Sequence, residues 1–181
     1  GFSIESNYAD NSISANLISG SSYYTGGAIG FASGMTVSNS YAFVESIKGK
    51  AYTGGFVGMN VRNTDKVSNC GVVANVAGTE YVGGFNGAFY GTANNVFAIG
   101  DIASTESYCG GIAGQTTDAS ISNSYFSGNI NGGGNYVGGI AGYSDATAIS
   151  KNYSCAAING LQYVGGIAGY ALGSSTIKSN V

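Results

Sequence analysis

The sequence predicts an all-β protein: a right-handed parallel β-helix (β-solenoid) of about six to seven coils, each of about 28 residues with three short strands. A glycine-rich block recurs at a nearly constant interval, and no sustained helical periodicity separates the blocks. Glycine accounts for 32 of the 181 residues, and each glycine in a helix would cost about 1 kcal/mol. The right hand is the general expectation for parallel crossovers and is not specific to this sequence.

The recurring block has the pattern Tyr-x-Gly-Gly-x-x-Gly and occurs six times. Its tyrosines are 27 to 29 residues apart, an interval typical of solenoids and arrays whose units bury their apolar faces against their neighbours. A β-propeller is the main alternative, but its blades need about 40 residues. We therefore expect one solenoid domain over residues 1–181, as a segment of a larger secreted or surface protein. The tyrosines are Tyr24, Tyr52, Tyr81, Tyr108, Tyr136 and Tyr163.

Two further segments complete each period. The first has apolar residues at positions i and i+4 with Ser, Asn or Lys between them, as in Ile121 to Tyr125. Its asparagines are expected at bends, because asparagine tolerates left-handed backbone. They are Asn39, Asn69, Asn95, Asn123, Asn152 and Asn180. The second segment carries an apolar column that we expect to face the interior: Ile47, Val76, Ile102, Ile130 and Ile158.

The tyrosines and glycines of the block need a structural reason, because glycine within a strand is unfavourable by about 0.5 to 1 kcal/mol. Strict alternation along the block favours an inward tyrosine ladder lying over flat glycine backbone, with stacked rings. The alternative is an outward ladder, an aromatic strip that binds sugars or a partner protein. The structural glycines of the prediction are Gly27, Gly55, Gly84, Gly111, Gly139 and Gly166.

Several classes of function are excluded or disfavoured by composition. The net charge is −3, and the six Lys and Arg residues are scattered singly, so no nucleic-acid partner is expected. No apolar run is long enough for a membrane span, so no membrane insertion is expected. Histidine is absent, which excludes a zinc peptidase of the HExxH type and a Ser-His-Asp triad within this chain. We expect no catalytic residue, no metal and no cofactor.

The three cysteines lie at three different places in the repeat and have no paired spacing. A role as small core or half-buried residues is favoured over a disulfide or a metal ligand for Cys70, Cys109 and Cys155.

A glycan-processing β-helix enzyme remains the catalytic alternative, because it needs only two carboxylates about 5 to 10 Å apart. Asp118 and Asp145 fall in equivalent turns of adjacent predicted coils, where they would form a catalytic pair or hold a calcium ion. Exposed turn residues are the simpler interpretation of both.

The glycine blocks, as in Gly111-Ile112-Ala113-Gly114 and Gly139-Ile140-Ala141-Gly142, resemble the GLUG-motif repeats of bacterial surface proteins. The resemblance extends over nearly the whole chain, with Phe, Ile or Ala in place of leucine. It implies an extracellular or cell-surface location, in adhesins or beside the catalytic domain of immunoglobulin A-cleaving metallopeptidases, and no catalytic site in the repeats. The partners it implies are a host protein or glycan, and neighbouring domains of the parent chain stacked on the open ends.

Overall fold

A computed structural model describes residues 2–4 and 11–181 of the chain. Every element in these residues is a β-strand, and equivalent segments one period apart pair in parallel. The strands form one sheet of 16 strands and a second of six strands, stacked as a β-solenoid of about six turns. The predicted fold class is therefore confirmed, and the glycine-rich blocks do not form hairpins.

The strands, in chain order, are β1 (Phe2–Ile4), β2 (Asn11–Ser19), β3 (Thr25–Gly26), β4 (Ile29–Ala32), β5 (Met35–Ser38), β6 (Ser40–Lys48), β7 (Ala51–Gly54), β8 (Val57–Asn60), β9 (Lys66–Gly78), β10 (Glu80–Gly83), β11 (Asn86–Ile99), β12 (Ile102–Ser104), β13 (Cys109–Gly110), β14 (Ala113–Ser122), β15 (Tyr125–Gly132), β16 (Asn135–Gly138), β17 (Ala141–Asp145), β18 (Ala148–Ser150), β19 (Tyr153–Asn159), β20 (Gln162–Gly165), β21 (Ala168–Leu172) and β22 (Thr176–Lys178).

The number of strands per coil agrees with the prediction only in the middle of the rod. The coils of Tyr52, Tyr81 and Tyr108 each contain three strands, whereas the coil of Tyr136 contains four, β16 to β19. Strands β9 and β11 are 13 and 14 residues long, because hydrogen bonding continues around a corner that the sequence placed between two strands. The small sheet contains the tyrosine blocks of all six coils, in the order β20-β16-β13-β10-β7-β3.

Asparagine forms one corner of the coil. Asn39, Asn69, Asn95 and Asn123 have φ between 49° and 53°, the left-handed conformation expected at a bend. The next two coils differ, since Lys151 and Ser179 take the left-handed position there. The asparagines that follow these two residues, Asn152 and Asn180, do not form the bend.

Asn152 is buried, and its Oδ1 accepts the backbone N–H of Ser124 at 3.0 Å, so it joins two coils instead of forming the bend. Asn180 repeats this contact one coil later, where its Oδ1 accepts the N–H of Asn152 at 2.8 Å.

The core is a set of apolar columns that run along the rod. The predicted column of Ile47, Val76, Ile102 and Ile130 is fully buried, and Ile158 packs against it partly buried. A second column lies beside the glycines of the block, where the rings of Phe56 and Phe85 stack with centroids 4.9 Å apart. Uniform columns of this kind fill the interior because each coil can bury its side chains only against the coils above and below.

The second glycine of each block allows adjacent coils to approach closely. A Cβ added to Gly55 would lie 2.0 Å from the carbonyl oxygen of Gly84, and one added to Gly111 would lie 2.2 Å from that of Gly139. Gly166, in the last coil, would meet nothing within 4 Å. The glycine file is thus required by backbone contact between coils, as glycine within a strand often is. The remaining members, Gly27, Gly84 and Gly139, make equivalent contacts.

A buried polar cluster joins three coils beneath the loop between β8 and β9. The Asp65 carboxylate is fully buried and accepts the backbone N–H of Met35 at 2.8 Å and the Nδ2 of Asn60 at 3.0 Å. Asn60 in turn accepts the backbone N–H of Tyr90 at 3.2 Å through its Oδ1. The Asp65 carboxylate is therefore the hydrogen-bond acceptor for buried donors to which the loop offers no backbone carbonyl group.

The cysteines have separate environments. Cys70 and Cys109 are buried in the core, as predicted, but Cys155 is exposed, so the prediction of a core or half-buried position is wrong for it. Cys155 follows Tyr153 by two residues on β19, and strand alternation turns both side chains outward. Burial raises the pKa of Cys70 and Cys109 to about 11, from 9.0.

Alkylation of the native protein at pH 8 is expected to modify Cys155 first. The raised pKa leaves each buried thiol with about a hundredfold less thiolate than an unperturbed thiol, and burial also blocks the reagent. Peptide mass spectrometry after timed iodoacetamide treatment measures the order, with Cys155→Ser as the control. Equal labelling of all three cysteines would contradict the buried positions.

Candidate functional site

The six block tyrosines form a continuous ladder. Successive ring centroids are 5.3, 4.6, 4.6, 5.1 and 5.1 Å apart from Tyr24 to Tyr163, and interplanar angles do not exceed 27°. Each pair of stacked aromatic rings contributes about 0.5 to 1.5 kcal/mol beyond its buried area. The ladder therefore helps to hold consecutive coils in register.

The ladder faces outward, which corrects the favoured inward interpretation. Tyr24 and Tyr163, at the two ends, are 41% and 49% exposed, and the tyrosines between them are half-buried. In the first five blocks the residue after the tyrosine enters the core, as fully buried Val82 and Cys109 show, whereas Val164 in the last block is exposed. The outward side of the coil therefore carries the phenol groups.

Backbone conformation explains the reversal. All six tyrosines have φ between 52° and 66°, a left-handed conformation that is uncommon for a residue with a bulky side chain. One such residue interrupts the alternation of a strand, and the register accordingly pairs Glu80 with Ala51 and Val82 with Thr53. The inward prediction assumed strict alternation through the block, and this assumption fails at its first residue.

A second outward column runs beside the ladder on the adjoining sheet. Register pairing aligns Phe31, Met59, Ala88, Gln115, Tyr143 and Tyr170. Phe31 meets Tyr24 edge to face at 5.1 Å, and Tyr143 and Tyr170 make edge contacts with the last three ladder tyrosines. We call the ladder together with Phe31, Tyr143 and Tyr170 the aromatic strip. In the sequence, this column appeared only as a set of positions with mixed residue types.

Acidic groups border the strip. Glu80 directly precedes a ladder tyrosine, Glu106 lies two residues before the next one, and Asp145 follows Tyr143 by two residues on β17. Burial, and then the neighbouring Glu106 carboxylate, raises the pKa of Glu80. Burial is also the largest cause of the raised pKa of Tyr143, followed by Asp145. Between residues 67 and 150 the chain has neither Lys nor Arg, so these coils present negative charge only.

Comparison with known families matches residues 105–131 to the GLUG motif. The chain carries the GLUG motif. The matched segment contains Tyr108 and its glycine block, and the other five blocks repeat its spacing. The resemblance noted from the sequence is therefore confirmed at the level of the motif. Comparisons with curated proteins and with solved structures found no significant match.

The two aspartates of the catalytic alternative lie in equivalent turns of adjacent coils but at different positions within the turn. Register pairs Asp145 with Thr117, one residue before Asp118. Asp118 has φ of 48° and corresponds instead to Ala146, which has φ of 49°. The two turns are therefore equivalent, as expected, and the aspartates occupy positions one residue apart within them.

No group of three or more His, Cys, Asp or Glu side chains that could hold a metal ion is found in residues 2–4 and 11–181. Within the same part of the chain, no helix has the length and apolarity needed to cross a membrane.

The stabilisation that the tyrosine ladder gives the fold is expected to decrease at alkaline pH. Burial, the Glu80 carboxylate and the adjacent Tyr52 together raise the pKa of Tyr81 to about 12, from 10.0. The unfolded chain thus loses the phenol proton first. The stability that Tyr81 contributes is complete below pH 10 and is lost as the pH rises towards 12. Tyr52, Tyr108 and Tyr143 have pKa values shifted in the same direction.

Thermal unfolding followed by circular dichroism at several pH values between 9 and 12 measures this loss. The Tyr81→Phe variant retains the ring but not the proton, so its Tm should fall less steeply over the same interval. Equal slopes for the variant and the parent chain would contradict the assignment to Tyr81.

Proposed function

We propose that this chain is a non-catalytic structural and adhesive repeat module of a bacterial cell-surface or secreted protein. The solenoid serves as a rigid spacer, and the aromatic strip is its binding surface for a host protein or glycan. The observation that carries this proposal is the outward ladder of six tyrosines, supported along one side by Phe31, Tyr143 and Tyr170.

Tyrosine suits a contact surface because it presents a large rigid ring and a polar hydroxyl with little conformational freedom to lose. In this solenoid the tyrosines occupy a strained backbone position in every coil, which directs them to the surface. A patch of this kind, continuous over six coils, is a recognised mark of an interaction site. The repeat then supplies many equivalent contacts along one line.

The non-catalytic assignment has support from composition and from register. Histidine is absent, and Asp118 and Asp145 occupy different positions in their turns. The GLUG repeats of the resemblance occur in surface adhesins and beside the catalytic domain of immunoglobulin A proteases. We extend that context to this chain: an extracellular or cell-surface location, with neighbouring domains of the parent chain stacked on the open ends of the rod.

The test is a binding screen of the purified chain against a glycan array and immobilised host proteins, including immunoglobulin A. A ladder variant, Tyr81→Ser with Tyr108→Ser and Tyr136→Ser, should lose the binding that the parent chain shows. The matched control is Tyr125→Ser with Tyr153→Ser, since these tyrosines are 40% and 48% exposed but belong to another column.

Circular dichroism must show that both variants retain the β fold. Undiminished binding by the ladder variant, or no binding by the parent chain across the panel, would overturn the proposal. Turnover of a polysaccharide by the parent chain would do so as well.

A further inference from the structure

A corner of the coil differs in length between three consecutive coils and thereby forms a cleft. The corner follows the strands that carry the second outward column. Between positions that pair in parallel, the middle coil has three residues, 89–91, the coil before it has six, 60–65, and the coil after it has four, 116–119. The short corner, with Tyr90 at its centre, is therefore the floor, and the longer corners are the walls.

We call this feature the corner cleft. It has a volume of about 380 Å³, within the range that small-molecule sites have. Its lining residues are Val61, Arg62, Asn63, Thr64, Tyr90 and Asp118.

The longer wall of the cleft is held by buried hydrogen bonds. The fully buried Asp65 carboxylate accepts the backbone N–H of Arg62 at 3.3 Å, and the Asp65 N–H donates to the Arg62 carbonyl oxygen at 3.0 Å. The Asp65 carbonyl oxygen accepts the N–H of Thr92, in the next coil, at 2.9 Å. The exposed residues 61–64 thus form a loop that a rigid scaffold positions, as binding loops commonly are.

The floor of the cleft is fitted to this wall. Gly91 has φ of 106°, and a Cβ added to it would lie 2.3 Å from the Asp65 carbonyl oxygen and 3.1 Å from that of Arg62. This position therefore requires glycine. Tyr90, beside it, is held by Asn60, whose side chain bonds both the N–H and the carbonyl oxygen of Tyr90. The two corners pack closely together, which fixes the shape of the cleft.

Arg62 supplies the positive charge of the cleft. It is the only arginine of the chain, and its Nε donates to the Ser33 Oγ at 2.8 Å, which orients the guanidinium plane. Within residues 2–4 and 11–181, Arg62 forms no ion pair, so its Nη donors have no carboxylate partner there. A guanidinium presents its donors in a planar fork that matches the two oxygens of a carboxylate. This side chain is therefore prepared to bind an oxyanion.

Asp118 places a carboxylate on the opposite wall. It is exposed, with φ of 48°, at the register shift between β11 and β14. An ionised carboxylate only accepts hydrogen bonds, whereas Asn63 and Thr64 on the other wall both donate and accept them. Hydroxyl groups match this set of partners. One guanidinium that shares a cleft with a carboxylate also favours a monoanion over a phosphate monoester, whose charge is about −1.5 to −2.

From these observations we propose that the corner cleft binds a small hydroxylated carboxylate, the chemistry of a sugar acid. Arg62 binds the carboxylate of the ligand, and Asn63, Thr64 and Asp118 hydrogen-bond its hydroxyls. The cleft shares no residue with the aromatic strip. This inference therefore goes beyond the proposed function, and either of the two can fail while the other holds.

Heteronuclear NMR of the ¹⁵N-labelled chain tests the inference, because a chain with one arginine gives one Nε–H signal. With D-glucuronate at pH 6, this signal and the amide signals of Asn63, Thr64 and Tyr90 should shift and saturate in the millimolar range. D-Glucose has the hydroxyls without the carboxylate, and acetate has the carboxylate without the hydroxyls. At equal ionic strength each should bind at least about fivefold more weakly than glucuronate.

Arg62→Gln should weaken glucuronate binding by about tenfold or more, and Arg62→Lys by at least about threefold, since an ammonium retains the charge but not the planar fork. Lys66→Gln is the matched control. It removes the same charge from an exposed position outside the cleft, so binding should change by less than about twofold. The amide signals measure binding in these variants and also show that the fold is intact.

Three results would overturn this inference. The first is the absence of a saturable shift with glucuronate. The second is an equal loss of binding in Arg62→Gln and Lys66→Gln, which would indicate general attraction of anions. The third is equal binding of glucuronate and either acetate or glucose, which would contradict recognition of both groups. None of these results bears on the aromatic strip, whose test is the panel binding of the ladder variant.

Discussion

Gly111→Ala is expected to lower the Tm by roughly 10 °C, the largest effect that we predict for a single methyl group. The added carbon would lie 2.2 Å from the Gly139 carbonyl oxygen and 2.4 Å from the Phe126 ring. Neither can yield easily, because one is backbone of the next coil and the other is a fully buried side chain. The coils would have to separate at this position. Thermal unfolding followed by circular dichroism measures the change.

Gly166→Ala is the matched control, since it makes the same chemical change at the same place in the repeat. Its Cβ would meet nothing within 4 Å, so it lacks the contacts that a Cβ at Gly111 would make. We expect a change in Tm of no more than about 2 °C. Similar losses in both variants would show that conformational freedom, and not contact between coils, explains the glycine file.

Asp65→Ala is expected to destabilise the fold by about 3 kcal/mol. The substitution leaves the buried backbone N–H of Met35 without its acceptor, and it removes one of the two acceptors of the Asn60 Nδ2, the other being the Tyr90 carbonyl oxygen. It also detaches the loop that the carboxylate holds through the N–H of Arg62, at 3.3 Å. Chemical denaturation of the parent chain and of the variant measures the difference in unfolding free energy.

Two controls accompany the Asp65 variant. Asp65→Asn retains one side-chain oxygen as an acceptor and should lose about half as much stability. Asp101→Ala removes a carboxylate that is exposed and bonded to Asn129, so its effect should stay within about 0.5 kcal/mol. An Asp65→Ala variant as stable as Asp101→Ala would show that the cluster is not needed.

The architecture could be predicted from the sequence because the spacing of the tyrosine blocks reports the coil length directly. Aligning the repeats at their tyrosine blocks also predicted the apolar columns of the core. Burial of Ile47, Val76, Ile102 and Ile130 confirms one of these columns. The glycine file also has the structural role that the unfavourable propensity of glycine in strands indicated. In each case one physical constraint recurs in every coil, so errors at single positions do not change the result.

The direction of the tyrosines could not be predicted in this way. A single left-handed residue reverses the side-chain pattern, and Tyr is not a residue type that signals this conformation, as Asn or Gly does. The left-handed conformation of Asp118, which offsets it by one position from Asp145 within equivalent turns, was likewise not visible in the sequence. The Asp65 cluster was missed because its partners come from different coils, and only the longer gap between Gly58 and Val67 marked that coil as different.

Constant placement of the phenol rings has a consequence for how such a protein varies in length. Insertion or loss of one whole period adds or removes a rung and leaves every other rung with the same kind of neighbour. The reach of the rod and the number of ligand-contacting rings then change together, in equal steps. Avidity for a polymeric ligand could thus be altered by recombination between repeats, without any change in the chemistry of a single contact.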